Sequence, residues 1–172
     1  LHAVFEYSWR LLSAQQQQIL ARLSVFRGGF DRAAAAAVAG SQLSDLSLLL
    51  AHSLVQRISA GRYDLHPLVQ EFAARKLDGT AEVQISAAHR TYYLPLLAST
   101  KMPQRTPLRI DFDNIRSAWQ SAVLALDGAL VEPSLVPFGE FIAQYGGMAD
   151  GNALLSATIE RFAALPDQQE LV

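Results

Sequence analysis

The run Tyr63-Asp64-Leu65-His66-Pro67-Leu68-Val69-Gln70-Glu71-Phe72-Ala73 constrains this chain more than any other stretch. Tyr63 and Leu65 alternate with polar neighbours after Gly61, as a half-buried strand does. Pro67 then suits the first position of a helix, where its missing N–H has no intrahelical partner to lose. Leu68, Val69, Phe72, Ala73 and Leu77 lie along one helical face, and Glu71 and Arg75 are spaced i, i+4 for an ion pair. The pattern puts His66 at a strand-to-helix corner, beside a helix N-terminus where anions are favoured.

The residues around this corner predict a small helical unit with one hairpin. Phe5, Trp9 and Leu12 form one helical stripe. Ser13 and Gln16 have capping-box spacing, and Ile19, Leu20 and Leu23 supply the buried face of the helix that follows. Gln15 to Gln18 read as solvated helix surface, because four residues are too few for a low-complexity tract. Gly28-Gly29 breaks the pattern. Asp31 caps an alanine-rich helix over 32–39, which Gly40 ends. Ser44 is placed to cap a further helix through Leu54. Val55–Ile58 and Arg62–Leu65 flank the turn Ser59-Ala60-Gly61 as a hairpin. A helix from Pro67 to Leu77 is expected to stop at Asp78-Gly79. Helices followed by a two-stranded wing describe a winged helix, here over residues 1–79.

Four stretches then carry a family resemblance: Tyr7-Ser8-Trp9-Arg10-Leu11-Leu12-Ser13, Leu23-Ser24-Val25-Phe26-Arg27-Gly28-Gly29-Phe30, Leu54-Val55 and Leu65-His66-Pro67-Leu68-Val69. Together they resemble the winged-helix region of signal-transduction ATPases with numerous domains. The subgroup they look most like is the large bacterial regulators related to MalT and other LuxR-type or AfsR-type proteins. In that family a nucleotide-binding domain precedes this segment and helical repeats follow it. The resemblance covers residues 1–80 well and the rest more loosely, and its most specific phrase is Leu23–Phe30.

The resemblance implies a role for His66. In related nucleotide switches the wing ends in Met-His-Asp, and that histidine reaches the β-phosphate of bound ADP and holds the closed, inactive state. The matching residues here are Leu65, His66 and Pro67. Leucine for methionine is a mild change, whereas proline for aspartate removes a carboxylate. The imidazole is kept and can donate to a phosphate oxygen. Read from the residues alone, His66 packs or caps at its corner. The resemblance adds a phosphate-sensing role in the full-length parent.

Beyond residue 80 the periods predict antiparallel helix pairs. Val83, Ala87, Ala88, Tyr92, Leu96 and Leu97 begin a stripe, with Pro95 inside it. Residues 100–110, with Pro103, Pro107, Lys101, Arg105 and Arg109, read as a loop. Asp113 is expected to cap the next helix, whose Ile115, Ala118, Trp119, Ala122, Val123 and Leu126 show the strongest helical period in the chain. Helices over about 133–145 and 152–164 follow by the same periodicity. Their expected inward residues are Leu135, Phe138, Phe141, Ile142 and Tyr145, then Leu155, Ile159 and Phe162. The pairs look like the opening of a degenerate tetratricopeptide-like superhelix over residues 80–172, with an ordinary helical bundle that closes on itself as the alternative. The fold class expected is therefore mainly α.

Composition and motifs exclude several functions. With 16 acidic against 14 basic residues there is no global field for nucleic acid or an anionic membrane. Absence of cysteine removes disulfide and thiolate chemistry and fits a reducing, cytoplasmic setting. No apolar run reaches the ~18 residues of a membrane span. There is no Gly-x-x-x-x-Gly-Lys-Ser/Thr loop, no His-Glu-x-x-His and no Gly-x-Ser-x-Gly elbow, and the four histidines show no metal spacing. The segment is therefore expected to be no enzyme and to hold no cofactor, with ATP or ADP bound by the parent protein. It reads as a piece of a longer chain.

Two readings remain. In the first, the segment is the regulatory scaffold of a nucleotide-driven switch. Its partners would be the upstream nucleotide-binding domain of the same chain and a protein or small-molecule inducer on the helical array. In the second, it is a DNA-binding winged helix with a helical ligand or dimerisation domain. The candidate recognition helix, Asp45–Leu54, carries no Lys or Arg for base edges or phosphates. That ranks the first reading above the second and predicts no direct DNA binding by this segment.

Overall fold

A computed structural model describes residues 2–101 and 106–164. Among the described residues the chain is mainly helical, with one small antiparallel sheet. It divides into two compact units, one up to Tyr92 and one from Tyr93 onward.

The first unit runs α1 (His2–Arg10), α2 (Ala14–Leu23), β1 (Phe30–Asp31), α3 (Arg32–Ala39), α4 (Leu43–Ala51), β2 (Gln56–Ser59), β3 (Arg62–Asp64) and α5 (Pro67–Ala74). Its boundaries follow local chemistry. The Gln16 N–H donates to Ser13 Oγ, while the Gln16 side chain accepts from the Ser13 N–H. Both orphan donors at the start of α2 are thereby satisfied. Asp31 Oδ1 accepts from Ala34 N–H at 2.8 Å, and Gly40, at φ 71°, closes α3. These features match the sequence expectation. So does the hairpin, although it is joined by a third strand with no sequence signal. β1 pairs with β3, which pairs with β2, giving the order β1-β3-β2 with Phe30 opposite Tyr63. The order helix, strand, helix, helix, strand, strand from α2 to β3 is that of a winged helix. Phe26 stacks on Phe30 and Phe30 on Tyr63, with centroids 4.6 and 6.2 Å apart. Leu20, Leu23, Leu46 and Leu49 complete the core around them.

In this unit three helix ends differ from the sequence reading. α4 starts at Leu43, because the Asp45 carboxylate accepts the Gln42 N–H at 2.8 Å; Ser44 is not the cap. It ends at Ala51 rather than Leu54, since Ser53 turns to φ 56° and the Leu54 N–H closes back on Leu49 O. α5 ends at Ala74, three residues early. Asp78 begins the next helix instead of stopping this one: its carboxylate accepts from Ala81 N–H at 2.7 Å, and α6 runs Gly79–Ser99.

In α6 the buried ridge is Ile85, His89, Tyr93 and Leu97, at i, i+4, i+8 and i+12. Val83, expected inward, is 67% exposed. Pro95 sits on the exposed side without ending the helix. Within the first unit His89 meets Phe26 edge to face at 5.6 Å.

The second unit holds a 3-10 turn (Thr106–Asp111), α7 (Phe112–Leu124), α8 (Gly128–Tyr145) and α9 (Met148–Ala163). Part of the expected loop is thus ordered as the 3-10 turn, while Pro103 and Arg105 lie outside the described residues. Asp111, not Asp113, occupies the N-cap of α7. Ile115, Ala118, Trp119 and Ala122 are buried as their period predicts. α8 begins at Gly128, earlier than expected, and contains both Pro133 and Pro137. Leu135 is 41% exposed, while Phe138, Phe141 and Ile142 form the inner face. On α9, Leu155 and Phe162 are half-buried against α8 as expected, whereas Ile159 is exposed and Thr158 is buried instead. Gly151 is buried within α9, where an added Cβ would meet Ile142 at 3.1 Å. The helices α7, α8 and α9 each pack on the other two. Among the described residues no single helix is long and apolar enough to cross a membrane.

Candidate functional site

His66 sits where the sequence puts it, between β3 and α5. Leu65, 3% exposed, anchors the end of the strand in the core, and its N–H donates to Asp64 Oδ1 at 2.9 Å. His66 is the N-cap of α5, with Pro67 first in the helix. Its ring faces the helix start: Nδ1 accepts the Leu68 N–H at 3.2 Å, and its carbonyl accepts the Gln70 N–H at 2.9 Å. An imidazole that accepts at Nδ1 carries its proton on Nε2 when neutral. The residue is exposed, so an Nε2–H donor is what the corner offers to a ligand. Val69, Phe72 and Ala73 hold α5 against the rest of the unit.

Two residues near this corner carried no sequence signal of function. The Gln70 side-chain amide donates to Ser24 O, at 3.2 Å, and to Phe26 O. The Arg27 guanidinium donates to the carbonyls of Ser24, Val25 and Phe26 at 2.7, 3.1 and 2.9 Å. These carbonyls lie at and just past the C-cap of α2, which is Ser24. Desolvation lowers the Arg27 pKa from its ordinary value, and the guanidinium remains a cation at neutral pH.

The nucleic-acid faces of the winged helix are poor in cations. α4 exposes Leu43, Ser44, Ser47 and Ala51 and has no Lys or Arg. Arg62 on the wing is buried and donates to Gly28 O, and the Arg57 guanidinium lies 5.9 Å from the Tyr63 ring centroid. Lys76 stands over the rings of Trp9 and Phe72 and pairs with Glu6 at 3.1 Å. Among the described residues, no three His, Cys, Asp or Glu side chains are grouped to hold a metal ion.

No protein-family model matches the chain, and no solved structure does. Among curated proteins it is similar to the "Putative HTH-type transcriptional regulator Rv0890c" of Mycobacterium tuberculosis (strain ATCC 25618 / H37Rv), with 37% identity over 136 residues. Like-named proteins of Mycobacterium bovis and of M. tuberculosis strain CDC 1551 / Oshkosh show the same identity. The match covers 69% of this chain, which spans about 15% of the length of those relatives. The similarity is thus to proteins of the transcriptional-regulator kind.

Proposed function

We propose that this chain is an internal regulatory segment of a large HTH-type transcriptional regulator, in which the winged helix docks on protein rather than on DNA. The observation that carries this reading is the outward face of α4. A recognition helix needs Arg, Lys, Asn or Gln at base edges and cations at phosphates. Leu43, Ser44, Ser47 and Ala51 supply none of these. DNA is then read by another part of the parent protein.

In this reading an upstream nucleotide-binding domain of the parent binds ATP or ADP, and the winged helix closes over the ADP-bound site. His66 donates from Nε2 to a phosphate oxygen and stabilises the closed state. The helices beyond residue 80 open a tetratricopeptide-like array that takes a protein or small-molecule inducer. Support comes from the exposed His66 ring and its Nδ1 cap, and from the pairwise packing of α7, α8 and α9.

The relatives' names favour the second reading, in which this winged helix is itself the DNA reader. Fluorescence anisotropy of the chain against parent-promoter DNA at low salt separates the two. We expect only weak, sequence-independent association. Saturable, sequence-dependent binding tighter than about micromolar, the range of specific modules, overturns the docking reading in favour of the DNA reader.

A further inference from the structure

The segment Leu23–Phe30 has so far no role beyond breaking one helix and starting a strand. Its contacts give it one. From its C-terminal side, Phe30 pairs with Tyr63 on β3, the strand that leads into His66. Arg62 of the same strand donates to Gly28 O at 3.3 Å. Gly29, at φ +84°, packs so closely under β3 that an added Cβ would stand 2.8 Å from the Tyr63 carbonyl oxygen. From its N-terminal side, the carbonyls of Ser24 and Phe26 receive the Gln70 amide of α5, the helix that leads out of His66. The strand entering the corner and the helix leaving it are therefore both tied to one eight-residue turn.

The circuit is closed. It runs from Ser24 through Phe30 to Tyr63, along β3 to His66, down the first turn of α5 to Gln70, and back to Ser24 and Phe26. Gln70 is the link on the helical side twice over, because its backbone N–H also donates to the His66 carbonyl. A corner held only by its strand could swing about Leu65. A corner held from both sides keeps the bearing of its ring, as a site built on supported elements does.

We propose that the Leu23–Phe30 turn is a saddle that fixes the His66 corner, and that Gln70 is the positioning residue through which it holds the helical side. The proposal rests on His66 being the functional group of the segment. Its test is blind to nucleotide, so it fails or stands separately from the phosphate-sensing reading.

The test uses the 172-residue chain with Gln70→Met and Gln70→Lys. Methionine keeps the length and loses the donors, while lysine keeps a donor of similar reach. Arg27 still donates to the same carbonyls, so neither variant leaves them without a partner. Amide exchange at Leu68 and Gln70 and the 15N shifts of the His66 ring are read by NMR. In Gln70→Met we expect exchange at both amides to rise about tenfold, the factor of roughly two net hydrogen bonds, with a shifted His66 Nδ1 signal. Amides of α3 and α4 should exchange as before, and Gln70→Lys should restore wild-type values. Unchanged Leu68 exchange and His66 shifts in Gln70→Met overturn the proposal. So does a uniform rise across α3, α4 and α5, which marks a general loss of stability, and so does an equal response to methionine and lysine.

Discussion

Trp119 lies flat on Phe138, with ring centroids 4.2 Å apart and planes within 3° of parallel. Its indole N–H donates to Thr158 Oγ1 at 3.1 Å, and the Thr158 hydroxyl in turn donates to Leu154 O at 2.8 Å. One side chain of α7 thus touches α8 with its face and α9 with its edge. The indole is 1% exposed, so its N–H has no water to fall back on.

Thr158→Val should therefore cost about 1–3 kcal/mol, the penalty of a buried donor left without an acceptor. Trp119→Phe removes the donor instead and trims the ring. In the double variant the unsatisfied group is gone, so its loss should be smaller than the sum of the singles. Urea unfolding followed by circular dichroism measures all three. Strict additivity would show that the hydrogen bond contributes nothing beyond packing.

Gly29 and Gly61 both have positive φ, at 84° and 76°, but their surroundings differ. At Gly61 nothing stands within 4 Å of an added Cβ. Gly61→Ala should then cost only the left-handed backbone penalty, about 1–2 kcal/mol. At Gly29 the same change adds a collision with the Tyr63 carbonyl and with Ile58 at 2.9 Å. Its cost should exceed that of Gly61→Ala by more than about 1 kcal/mol, as overpacking against an unyielding neighbour does. Equal melting temperatures for the two variants would contradict this.

Ser53 is exposed at φ 56° just past the end of α4, a conformation that favours glycine. Ser53→Gly should stabilise the chain by about 0.4–1 kcal/mol, because relief of backbone strain outweighs the added freedom of the unfolded chain. A lower melting temperature in calorimetry would show that the serine conformation is not strained.

The legible parts of this fold were those fixed by short-range chemistry. Ser13 with Gln16 and Asp31 with Gly40 set the bounds of α2 and α3 because caps act within one turn. The hairpin showed itself through Gly61 and the alternation of Tyr63 and Leu65. β1 did not, because Phe30 and Asp31 are too few to show a period, and their pairing depends on a strand more than thirty residues away. On α9 the period places Ile159 inward beside Leu155 and Phe162, but the position that is buried is Thr158, fixed by the hydrogen bond it accepts from Trp119. At the candidate site, the position of His66 followed from Leu65 and Pro67. Which ring nitrogen caps α5 did not, and neither did the distant anchoring of Gln70, since both depend on three-dimensional contact.

The capping bond of His66 makes its two ring nitrogens separable by mutation. Nδ1 accepts the Leu68 N–H, and Nε2 is the nitrogen of the proposed phosphate contact. Asparagine is a strong N-cap residue and has an acceptor oxygen near the position of Nδ1, but it cannot reach as far as Nε2. His66→Asn should therefore leave the melting temperature of this chain nearly unchanged. His66→Ala, which loses the cap, should cost about 0.5–2 kcal/mol. In the full-length parent the proposed phosphate contact predicts a different ranking, because both variants lose the Nε2 donor. A hydrogen bond to a charged group contributes about 1.5–3 kcal/mol, so both should speed ADP dissociation by roughly tenfold or more. Basal transcriptional output should rise in both by the same shift towards the open state. The comparison to make is the ADP off-rate of the wild-type, Asn and Ala forms of the parent, beside the stability of the three segments. Faster release in both variants, with stability lost only in alanine, assigns Nε2 to the phosphate. Off-rates equal to wild type in His66→Asn would leave His66 as the cap of α5 and nothing more.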